Sequence, residues 1–138
     1  MGRNSSLKGI SIALMTCMLS VPVHAAGWMS GAEIEKLISG NTTYGKHELK
    51  GFTSYSYNRP DGTAVGRNTK DGDTSGTWRV KDDMICRTRD GGSGEFCNKV
   101  KDNGDGTYNR YAPAKNVMRG DIHVFTWTKV VPGNPENL

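Results

Sequence analysis

Cysteine and histidine are the residue types here whose spacing could support chemistry. Cys86 and Cys97 flank a glycine-rich stretch, ICRTRDGGSGEFCNKV, that runs from Ile85 to Val100. Such a pair could ligate a metal, cycle as a redox couple or close a disulfide. Zinc wants four ligands, typically with Cys-x-x-Cys spacing, and two distant cysteines do not supply them. A catalytic redox pair stands as Cys-x-x-Cys at a helix start, whereas ten residues separate these two. If a two-residue turn is centred on Gly91-Gly92, Asp90 faces Ser93 and the cysteines fall opposite one another. Opposed α-carbons in an antiparallel pair lie ~4.5–5.5 Å apart, within disulfide reach. The expectation is therefore a strap across a hairpin. Alternation puts Phe96 and Val100 on one face and Cys97 with Lys99 on the other, so either the disulfide takes the wetter face or a bulge shifts the register.

His123, Phe125 and Trp127 alternate along one run, which predicts that all three project from one strand face. With Trp78 they are the candidate ligand-binding residues. The competing reading, which is favoured, is an exposed histidine beside two partly buried aromatics. His47 lies in a polar stretch and is the weaker candidate. No serine, histidine and acid form a nucleophile motif, and Gly-x-Ser-x-Gly is absent from the sequence. Asp82-Asp83 reads as a solvated turn. Asp90 to Glu95 and Asp102 to Gly106 superficially resemble calcium loops, but phenylalanine or glycine stands where oxygen ligands belong. No catalytic residue, metal site or cofactor is expected. Gly76-Thr77-Trp78 echoes the lipocalin Gly-x-Trp, although it falls mid-chain.

These residues need elements to position them. Ser30 and Glu33 make a capping box for a short helix whose Ile34, Leu37 and Ile38 share a face, and Gly40 ends it. Beyond it, turn signals such as Pro60-Asp61-Gly62, Asp71-Gly72 and Asn103-Gly104 punctuate short aromatic and β-branched runs. The predicted strands are Phe52 to Tyr57, Thr77 to Val80, Met84 to Thr88, Phe96 to Lys101, Thr107 to Tyr111 and Ile122 to Val131. The fold class is mainly β: a short N-terminal helix, then an antiparallel meander forming a small barrel or sandwich with one disulfide. The eleven aromatics of this part would fill the interior or line an apolar cup. The tail from Pro132 is expected to leave the sheet.

Residues 1–25 read as a signal peptide: Arg3 and Lys8, an apolar run from Ile10 to Val21, then Val23-His24-Ala25. The run is too short for a spanning helix, which needs ~20 apolar residues. Residues 26–138 form the single β-rich domain, carrying 16 basic against 14 acidic residues. That small excess alternates in sign, which argues against nucleic acid as a partner. Cys17 leaves with the signal, and the remaining even pair fits an oxidising, periplasmic or secreted location.

Leu37-Ile-Ser-Gly-Asn-Thr42 after a short helix, Gly76-Thr-Trp-Arg-Val80 before Asp82-Asp83 and Cys86, and the second cysteine before Val100 together resemble a family of small exported proteobacterial proteins known only as a domain of unknown function. The resemblance runs from about Ser30 to Val131 and implies a single exported domain, with no activity or site to transfer. The expected role is a non-catalytic exported binding module for a small apolar ligand or an envelope component, a monomer with no membrane span once the signal is removed. The alternative is a protein inhibitor or immunity-type factor acting on a protein partner.

Overall fold

The computed structural model describes Gly2 and residues 26–116 and 118–138; the expected signal peptide, residues 1–25, lies almost wholly outside them. A two-residue strand, β1 (Gly27–Trp28), precedes helix α1 (Gly31–Ile38). The Ser30 hydroxyl accepts from the Glu33 amide, and the Glu33 carboxylate accepts from the Ser30 amide. The Asp83 carboxylate accepts from the Gly31 amide at 2.6 Å, which ties the positive end of the helix to a hairpin turn. Asp82 and Asp83 form that two-residue turn, both at positive φ. The paired carboxylates are thus a turn and a helix tether.

Eight strands follow: β2 (Asn41–His47), β3 (Thr53–Asn58), β4 (Thr63–Asn68), β5 (Gly72–Lys81), β6 (Met84–Arg89), β7 (Phe96–Asp102), β8 (Tyr108–Ala112) and β9 (Ile122–Pro132). Each pairs antiparallel with the next, and β9 returns to pair with β2. The meander is therefore a closed barrel and not a sandwich, and closure leaves it no free edge. β1 lies along β7 where β6 ends.

Two irregularities bend β9 as it closes the barrel. Opposite β8, Arg110 pairs with Phe125 but Tyr111 pairs with His123, which leaves Val124 as an extra residue. Opposite β2, Tyr44 pairs with Lys129 but Gly45 pairs with Trp127. Such bulges add the local twist that closure of a small barrel requires. At Gly45 any side chain would collide with the Thr126 carbonyl and the Phe125 ring. Glycine there is what lets β2 and β9 approach.

Helix α1 closes one end of the barrel. Ile34 and Ile38 are fully buried and join Trp78, Ile85, Val100, Phe125 and Trp127 in one apolar core. The Trp78 indole N–H donates to the Arg59 carbonyl at 2.9 Å. The outward residues of β5 are Asp73, Ser75, Thr77, Arg79 and Lys81, a polar face unlike the apolar band of a membrane barrel. Among the described residues no helix is long and apolar enough to cross a membrane.

Cys86 and Cys97 are joined and lie directly opposite in the β6–β7 pair. The register is the expected one, but the turn is not a two-residue Gly-Gly turn. β6 ends at Arg89, the Gly92 amide donates to the Arg89 carbonyl, and the chain crosses over at Gly91 and Gly94, both at positive φ. The disulfide sits on the outer face without a bulge, with Phe96 and Val100 turned inward. Cys86 is nonetheless buried, because Arg79 beside it forms a bidentate pair with Glu95, whose carboxylate lies close to both sulfurs. The tail corrects the expectation slightly: Pro132 is still paired, opposite Asn41, and the chain turns away at Gly133.

Candidate functional site

Beyond the core packed under α1, the barrel is hollow. A cavity of about 460 Å³ fills its other half. Its position follows from residues on the inward parity of each strand: Thr43 and His47 on β2, Ser54 and Ser56 on β3, Ala64 and Asn68 on β4, Thr74 and Gly76 on β5. Small and polar side chains cannot meet across a barrel of this width, so the space stays open. Aromatic rings line the rest, with Phe125 and Trp127 deep and Phe52 and Phe96 towards the strand ends far from α1.

Two arginines stand in this wall. Arg87 on β6 faces inward between Trp78 and Phe96, and Arg110 on β8 faces inward between Val100 and Phe125. Arg110 is 5% exposed and Arg87 is half-buried, and both line the cavity. Each guanidinium is held by an asparagine. Arg110 Nη2 donates to Asn98 Oδ1 at 2.6 Å, and Arg87 Nη2 donates to Asn58 Oδ1. The asparagines are fixed in turn, since Asn98 Nδ2 donates to the Cys97 carbonyl and Asn58 Nδ2 to the carbonyls of Asn41 and Ser56. The Arg110 guanidinium also lies over the rings of Phe125 and Trp127.

Among the described residues neither arginine has a carboxylate partner. The ion pairs among the described residues are Arg67–Asp73, Arg79–Glu95, Arg89–Asp71 and Lys99–Asp121. Burial lowers the pKa of Arg87 to about 10, and burial together with the charge of Arg87 lowers that of Arg110 to about 9. Both remain cationic at neutral pH. His47 shares the wall, its ring 4.9 Å from Phe52 and 6.2 Å from Phe125. Its pKa is lowered by burial first, then by Lys50 and Arg110, against a smaller opposing effect of Glu48. The buried side-chain polar atoms without a hydrogen-bond partner among the described residues are Arg87 Nε, Arg110 Nε and His47 Nδ1. All three belong to residues that line this one cavity.

The mouth has its own character. The loops β2–β3, β4–β5, β6–β7 and β8–β9 gather at the end away from α1. Leu49, Phe96, Met118 and Ile122 lie there, 48–92% exposed. Lys50 also lines the opening.

Of the four candidate ligand residues, Phe125 and Trp127 line the cavity, and Trp78 belongs to the core beneath it. His123 does not share their face. The extra residue at Val124 reverses the alternation and turns His123 outward, where it stacks on Tyr111 at 5.0 Å and bonds Thr126 Oγ1 at 3.0 Å. Alternation failed there because a bulge is a register event that leaves no mark in composition. The residues missed were Arg87, Arg110, Asn58 and Asn98. A signal did exist for two of them: Ile85 and Arg87, like Tyr108 and Arg110, share a strand parity, which sets an arginine on an apolar face.

The group of possible metal ligands among the described residues is Cys86, Glu95 and Cys97, whose sulfurs are bonded to each other and whose carboxylate is taken by Arg79. No protein family, curated protein or solved structure matches the chain, so the chemistry of the cavity is the guide to function.

Proposed function

We propose that the protein is a non-catalytic binding module that holds one small, partly apolar ligand inside its barrel. The cavity carries this reading. At about 460 Å³ it falls in the range of small-molecule sites, ~300–1,000 Å³, and combines aromatic lining with a few converging polar groups, as such sites do. The helix closes one end and an apolar rim surrounds the other, which gives a ligand one way in. The Cys86–Cys97 disulfide supports an exported protein in an oxidising compartment, in keeping with the resemblance to small exported proteins.

The test uses N-phenyl-1-naphthylamine, a neutral apolar fluorophore. Saturable fluorescence enhancement at one probe per chain is expected, and Ala64→Trp, which fills the cavity from β4, should abolish it. Absence of saturable binding, or binding unchanged in Ala64→Trp, removes the proposal. Native mass spectrometry of gently purified protein should show a copurifying small molecule.

A further inference from the structure

Placing two guanidinium groups inside a barrel is unfavourable. Removing an ion from water costs several kcal/mol even after the surroundings relax, and a buried charge is ordinarily retained with a counter-charge. Here the nearest polar partners are neutral amides, Asn58 and Asn98. Those amides orient the guanidinium groups without neutralising them. Among the described residues each arginine keeps one buried Nε–H donor without an acceptor, and both side chains line the same cavity. Arginine presents its donors in a rigid fork suited to oxyanions. The surroundings supply the other half of a recognisable ligand: Phe52, Phe96 and Phe125 extend from the arginines towards the mouth.

We infer that Arg87 and Arg110 together bind the oxyanion head group of an amphipathic ligand, whose apolar part lies along Phe125, Phe52 and Phe96 towards the mouth. This rests on the cavity being a ligand site and adds the charge and orientation of what occupies it. The head group accepts from the guanidinium N–H groups turned to the cavity and offsets the charge of both guanidiniums. A carboxylate and a phosphate monoester share that chemistry.

The experiment compares two probes with the same aromatic skeleton: 1-anilinonaphthalene-8-sulfonate, which is anionic, and neutral N-phenyl-1-naphthylamine. The folded wild-type chain should bind the sulfonate roughly tenfold or more tightly than the neutral probe, the scale of hydrogen bonds to charged groups. Arg87→Met and Arg110→Met, each checked by its melting transition, should lose that preference while still binding the neutral probe. Dodecanoate or dodecyl phosphate should displace the sulfonate, and dodecanol should not. Displacement by only one of the two acids identifies the head group. Equal binding of both probes, or displacement by dodecanol as effective as by the acids, overturns the inference and leaves the cavity as an apolar ligand site. Failure of both probes to bind overturns the inference together with the proposed function.

Discussion

The guanidinium of Arg110 lies 5.3 Å from the centre of the Trp127 ring and is braced by Asn98 Oδ1. A ring face and a neutral amide recover only part of the hydration that this cation gives up. The positive charge of Arg87 acts against it as well. The ligand-free protein should therefore be more stable without that charge. Arg110→Met is expected to raise unfolding stability, but by less than the ~1–4 kcal/mol seen when a whole buried ion pair gives way to apolar groups, because Asn98 Oδ1 loses its donor. Urea denaturation of ligand-free protein measures it, and a clear loss of stability would show the arginine to be part of the packing alone.

His47 predicts an acid-side effect. Its folded pKa is lowered from 6.5, so the unfolded chain takes up a proton at a higher pH than the folded one. Stability is full above about pH 6.5, falls as pH drops towards the lower folded value, and then levels off. Denaturation midpoints measured between pH 7.5 and 5 should show this fall, and His47→Gln should flatten it. An unchanged slope in the variant would assign the effect elsewhere.

The disulfide holds β6 and β7 together across a separation of 11 residues. Cys86→Ala with Cys97→Ala should lower stability by about 2–3 kcal/mol in the chain-entropy account. Adding a reductant to wild-type protein should reproduce the loss, with the double variant insensitive to it. Equal midpoints with and without reductant would count against the strap.

Gly45 tests the closure of the barrel. An alanine methyl there meets the Thr126 carbonyl and the Phe125 ring, so β2 and β9 must separate. Gly45→Ala is expected to cost about 1–3 kcal/mol, the usual penalty of overpacking. It should also open the seam to amide exchange, most at Lys46 and Thr126. Wild-type protection at those amides would place the flexibility elsewhere.

How legible the sheet was depended on what each strand faces. β5, β6 and β9 could be read because Trp78, Ile85, Phe125 and Trp127 face the packed core. β2 and β4 are absent from the predicted strands, because their inward positions carry the glycines Gly45 and Gly66 and, lining a hollow, Thr43 and His47 or Ala64 and Asn68. Apolar periodicity records burial against a core and falls silent beside a cavity. The charge count behaved likewise. Sixteen basic residues against fourteen acidic in residues 26–138 suggested an unremarkable surface, yet the two arginines that equal the excess stand inside.

Local chemistry settled what adjacent residues decide between themselves: the capping box of Ser30 and Glu33, the turn at Asp82-Asp83, the pairing of Cys86 with Cys97 and the mainly β character of the chain. Only the closed structure decided which side chains look inward. Inward direction depends on bulges in β9 and on the return of β9 to β2, whose paired residues stand 78 to 91 positions apart. A pattern read along the chain contains no term for them. They turned His123 out and kept Phe125 within, beside Arg110.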